Sequence, residues 1–180
     1  MIEANYSTHK SVLLAIREAV ALYLFDKNRE KDIPKVAESF LLLDDYEGDR
    51  VPVSAVMEEV NSLCNALQDN YLGLRLNLLV NIEQLPFYQS VSACIRPFSE
   101  IENELPFLLV SRIVYRFFFL ITQSIELKLT EEKGLLRFDL TSNAPDIMNK
   151  HQMDGAIVLI YRIIEAFYSS HLTKITVAYR

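Results

Sequence analysis

The chain has 180 residues, 51% of them hydrophobic, which is enough for one domain with a sizeable core. Its 18 Lys and Arg are spread among 24 Asp and Glu, for a formal net charge of -6. That balance excludes a nucleic-acid surface in this segment, because phosphate binding draws on clustered cations. Cys64 and Cys94 sit in apolar stretches with no CxxC or Cys/His spacing, so both read as reduced thiols of the core. The opening MIEANYSTHK has no apolar run behind a basic start; a signal peptide is not expected, and the address implied is cytoplasmic.

The first helix is predicted after a Ser7 or Thr8 cap, with Val12, Leu13, Ile16, Ala19, Val20, Tyr23 and Leu24 recurring at helical spacing. A shorter helix starts at Pro34 and runs through Phe40 and Leu41 until the acidic turn Asp44 to Asp49. The third opens with Pro52 in its first turn and carries Val53, Val56, Met57, Val60, Leu63, Cys64 and Leu67 on one side. Tyr71 to Val80 fits a strand through Leu72, Leu74 and Leu76, or a helix through Leu72, Leu76, Leu79 and Val80. The helix is preferred, with Gly73 admitting a close neighbour.

Another helix should cover Phe87 to Ile95. Pro97 and Ser99 then begin a longer one through Glu100, Ile101, Leu105 and Ile113, kinked or split by Pro106 near Leu105. Leu105 to Ile121 is the most apolar window, but Arg112 and Arg116 interrupt it, and a central arginine costs roughly 2.5–3.5 kcal/mol on insertion scales. A core helix with one polar edge explains it better than a membrane span. The period next changes to two: Ile125, Leu127 and Leu129, the turn Glu131 to Gly134, then Leu136, Phe138 and Leu140 form a hairpin with one face buried. Met153, Ala156, Ile160, Ile163, Ile164 and Phe167 make a helical stripe, and Ile175, Val177 and Tyr179 a last strand. The expected fold is α+β, one domain over 1–180: a mainly helical first half, then a small sheet of hairpin plus C-terminal strand packed by helices.

Arg50-Val51-Pro52, the apolar helix behind it and Leu72-Gly73-Leu74-Arg75 together resemble the N-terminal effector-sensing, arabinose-binding-like domain of one branch of the AraC-type bacterial transcriptional regulators. The order of elements extends the resemblance over roughly Arg50 to Arg180, with a helix opened at Ser99, a hairpin, and a helix opened near His151. It implies a domain that binds a small effector, leaves room for a homodimer, and reaches DNA only through a C-terminal pair of helix-turn-helix motifs that would follow this segment. The motif itself reads as a marker of fold, with Arg75 paired to Asp69.

Catalytic chemistry finds no support in the residues. His9, His151 and His171 lack companions, and no HExxH, GxSxG or phosphate-cradling loop occurs, so no enzyme, cofactor or metal is expected. The candidate ligand contacts are Arg112, Tyr115, Arg116 and Tyr161. Arg112 and Arg116 share one helical face and could receive an acidic head, while Tyr161 falls one position off its apolar stripe. Two functions follow: a regulatory domain that senses an apolar or amphipathic effector, or a ligand-free interaction module whose contact is the aromatic run Tyr115 to Phe119.

Overall fold

The structure is a computed structural model, and it describes residues 6–99, 106–132 and 135–168. It is an α+β fold in which helices predominate and two small antiparallel sheets pack against them. Strand β1 (Ser7–His9) pairs with β2 (Arg50–Pro52), Thr8 opposite Val51. This ribbon was not expected. It displaces the predicted cap: Ser7 and Thr8 are strand residues, and His9 caps helix α1 (Lys10–Asp26) by accepting from the Ser11 backbone N–H at 3.1 Å.

Arg50 gives the Arg-x-Pro segment a structural use. Its guanidinium donates to Ser7 Oγ at 2.7 Å, Ser7 O at 2.9 Å and Leu120 O at 3.3 Å. One side chain thereby staples β2 to β1 and both to the chain entering the hairpin. On that far side Gln123 N–H donates to Ser7 O and His9 N–H to Ile121 O, so β1 is held from both edges.

Helix α2 (Ile33–Ala37) is shorter than predicted and ends before Phe40. Helix α3 (Val53–Leu67) starts directly behind Pro52, which was expected in its first turn but ends β2, and it buries Val53, Val56, Met57, Leu63 and Leu67. It stops at Gln68, whose backbone is left-handed at φ 51°. Asp69 then accepts from Tyr23 Oη at 2.7 Å, from the Tyr71 N–H at 2.8 Å and from Arg75 at 2.5 Å, which includes the predicted pair. Burial works against its charge, but these donors outweigh it and hold the carboxyl below the usual range.

Tyr71 to Val80 resolves to helix α4 (Leu72–Leu79), which lies against α7 (Lys150–Tyr168) along a seam lined by two glycines. A Cβ on Gly73 would fall 2.1 Å from the His151 carbonyl oxygen, and one on Gly155 would fall 2.4 Å from Asn77 Nδ2. The close neighbour expected at Gly73 is therefore α7. Asn77 Nδ2 donates back to Gly73 O at 2.8 Å, and Arg162 closes the end of α4 by donating to Asn77 O and Val80 O.

Helix α5 (Pro86–Ser99) contains Pro97 in its last turn. Pro97 was expected to open the next helix, but α5 continues through it to Ser99. Residues 100–105 lie outside the described residues, and α6 (Phe107–Phe117) starts behind Pro106, so the split falls where proline predicts it. Strands β3 (Ile125–Glu132) and β4 (Leu135–Ser142) form the predicted hairpin, registered from Ile125 opposite Ser142 to Glu132 opposite Leu135. Ile125 and Leu127 are buried on its inner face. The expected C-terminal strand and His171 lie outside the described residues.

Cys64 and Cys94 are unpaired and half-buried, less enclosed than a core position implies, and burial pushes the Cys64 thiol up. Among the described residues no helix is long and apolar enough to cross a membrane.

Candidate functional site

A cavity of about 110 Å³ lies where α1, α3, α4 and α7 meet the ribbon and the start of the hairpin. Its walls are largely apolar, and each comes from the inward stripe of an amphipathic helix. Val12 and Ile16 come from α1, Val56 and Leu63 from α3, Leu72 and Leu76 from α4, and Ala156 and Leu159 from α7. Gly73 and Gly155 also line it, so the seam that draws α4 onto α7 shapes the cavity as well. The Leu-Gly-Leu segment, read from sequence as a fold marker, is thus part of a cavity wall.

Polar groups on the walls are few and specific. Thr122 Oγ1 stands 3.1 Å from Thr8 Oγ1 and 2.7 Å from Ser124 Oγ, and it accepts the Ser124 N–H at 3.2 Å. All three residues are buried and line the cavity. His151, in the first turn of α7, accepts the Gly73 N–H on Nδ1 at 3.3 Å. Asn149, immediately before α7, caps it by accepting the Gln152 N–H at 3.3 Å. Gln152 Oε1 is buried with no hydrogen-bond partner among the described residues.

Glu59 is the one carboxylate on the described walls, and it is fully engaged. It accepts from Arg17 Nε at 3.0 Å, Arg17 Nη2 at 2.6 Å and the Leu41 N–H at 2.8 Å. The same Arg17 donates to Leu41 O at 2.8 Å and lies over the Phe40 ring. No Lys or Arg is among the described lining residues.

The residues predicted to contact a ligand are elsewhere. Arg112, Tyr115 and Arg116 are exposed on the outer side of α6, whose Val110, Ser111 and Val114 face inward. Tyr161 is partly buried on α7 and donates to Glu165 Oε1 at 2.6 Å. None of the four is among the described cavity-lining residues, and the structure does not bring Tyr161 together with the other three at the cavity. The lining residues sequence reasoning missed are chiefly Thr8, Thr122, Ser124 and Gln152. Their only signal is polarity beside apolar stripes, and their gathering depends on contacts between segments more than a hundred residues apart.

Among the described residues no group of three or more His, Cys, Asp or Glu could hold a metal ion. No family model matches the chain, and neither a curated protein nor a solved structure matches it.

Proposed function

We propose that this chain is the ligand-sensing regulatory domain of an AraC-type transcriptional regulator, working in the cytoplasm and controlling a separate DNA-binding domain. The reading is supported by the resemblance in Arg50 to Arg75 and carried by one observation: an apolar cavity with a few polar groups, walled in part by that same segment. Four helices and both sheets meet around it, so a molecule bound there touches all of these elements at once. A ligand that fits one arrangement of these layers better than another shifts the balance between them by the difference in affinity. The role is sensing, without a catalytic step.

The test is a thermal-unfolding screen of the whole chain against fatty acids, amino acids, sugars and small neutral compounds. A saturable rise is expected for at least one class, since ligand at a hundred times its Kd adds about 2.7 kcal/mol. Ala156→Leu, which fills the cavity from α7, should abolish the rise. A screen with no saturable hit sinks the reading.

One observation favours a second reading, an interaction or dimerisation module. Tyr115 and Phe119 are 46% and 55% exposed, a pair of large rings turned outward. Sedimentation of Tyr115→Ser with Phe119→Ser distinguishes the two: loss of a dimer with ligand response intact keeps sensing and adds assembly through α6.

A further inference from the structure

We infer that the cavity takes a compact, uncharged ligand with an apolar body about the size of one six-membered ring and a single hydroxyl head; this rests on the sensing function proposed above. Size comes first. At about 110 Å³ the cavity is of the same order as the roughly 150 Å³ cavity that holds benzene, so its enclosed part matches a body of about one ring.

Charge narrows the class further. An anionic head would meet the Glu59 carboxylate and no Lys or Arg among the described lining residues, and burying an unpaired charge is strongly unfavourable. A cationic head gains little, because Arg17 and the Leu41 N–H already occupy Glu59. Arg112 and Arg116, the natural receivers of an acid, are exposed on α6 and do not line the cavity.

The head is set by what the walls leave unmatched. Thr8, Thr122 and Ser124 bring three hydroxyl protons to two mutual contacts, so one proton remains to donate elsewhere, and no described acceptor takes it. Gln152 Oε1 supplies the opposite: a buried acceptor without a donor. A hydroxyl both donates and accepts, and it suits the amide whichever of its ends faces inward. A hydrocarbon satisfies neither group, and a carboxylate can only accept.

Calorimetric titration of the full chain with phenol, benzene and benzoate tests the class. Phenol should bind about tenfold more tightly than benzene, the worth of one or two net hydrogen bonds, and benzoate should not bind where phenol saturates. Gln152→Leu should keep benzene binding and bring phenol close to it. Equal affinity for phenol and benzene would overturn the hydroxyl head, and benzoate binding as tightly as phenol would overturn the uncharged class. Binding by none of the three would overturn the assignment altogether and leave the hydroxyls and Gln152 as a water site. The thermal screen separates these failures from failure of sensing itself: hits confined to acids or sugars remove only this inference, whereas no hit of any kind removes both.

Discussion

Two buried carboxylates, Glu59 on α3 and Asp154 on α7, are 1% and 0% exposed, and the molecule treats them in opposite ways. Glu59 receives three hydrogen bonds and, through Arg17 and Leu41, joins α1, α3 and the segment after α2. Asp154 receives none among the described residues; its ion-pair partner is Lys150 Nζ at 3.4 Å, on a side chain that is itself 60% exposed. A buried charge costs free energy unless hydrogen bonds and an opposite charge offset it, and here only one of the two is offset well. The comparison teaches where the fold is braced and where it is left under-satisfied. The braced end is the α1–α3 wall of the cavity. The first turns of α7, which carry Gln152 and Asp154, hold three of the buried polar atoms without partners. Unmet polar capacity of this kind is characteristic of places where stability gives way to function.

The comparison breaks most sharply at Glu59. Glu59→Ala should destabilise by about 3 kcal/mol, at the lower end for a broken buried pair because Arg17 retains partial access to solvent. Urea unfolding measures it, and Arg17→Met added to Glu59→Ala should recover part of the loss by removing the stranded cation. A loss under about 1 kcal/mol would mean that the wall is braced by packing instead.

Gly73→Ala comes next. The new methyl would press on the backbone of His151, which cannot rotate aside, so α4 and α7 must separate, at about 2–3 kcal/mol. Gly155→Ala offers the contrast. Its clash is with the buried Asn77 side chain, which must give up its bond to Gly73 O, while alanine regains roughly 1 kcal/mol of helix propensity, so the net loss should be smaller than at Gly73. Equal losses at the two positions would show that the seam is not tighter at its His151 end.

Asp154→Asn has the opposite sign. Removing a charge that no hydrogen bond supports should stabilise by about 1 kcal/mol. If the variant is instead less stable than the wild type, the carboxylate is as well held as Glu59 and the contrast between the two acids disappears.

Much of this scaffold was legible in the residues themselves. Long helical stripes such as Val53 to Leu67, the alternation of Ile125 to Leu140 and the need for a close neighbour at Gly73 each reflect a strong local pattern. The β1–β2 ribbon was not legible, because three residues are too few to establish a period and its registry depends on Arg50 reaching Ser7 and Leu120. The continuation of α5 past Pro97 escaped because proline ordinarily opens or ends a helix, and here the helix runs on through it to Ser99. The cavity was hidden because Val12, Leu63 and Leu76 line it with the same residue types that fill the core. Arg112 and Arg116 were conspicuous because they are charged, and charge on an amphipathic helix marks the face turned to water.

The smallest effect is a pH dependence at His9, the cap of α1. Its Nδ1 accepts the Ser11 N–H and lies 2.8 Å from Ser11 Oγ, an arrangement that protonation of Nδ1 abolishes. Burial lowers its pKa first and the nearby Arg50 guanidinium lowers it further, outweighing Asp49. The folded state therefore binds a proton less readily than the unfolded chain. This contribution is fully present above the ordinary histidine value of about 6.5 and is lost as the pH falls through the lower folded value. His9→Asn keeps a capping acceptor but does not titrate, so the difference in unfolding free energy between wild type and variant should move against the wild type between about pH 7.5 and 5.5. A difference independent of pH would mean that the α1 cap survives protonation, and that the ribbon, stapled by Arg50, positions this helix without it.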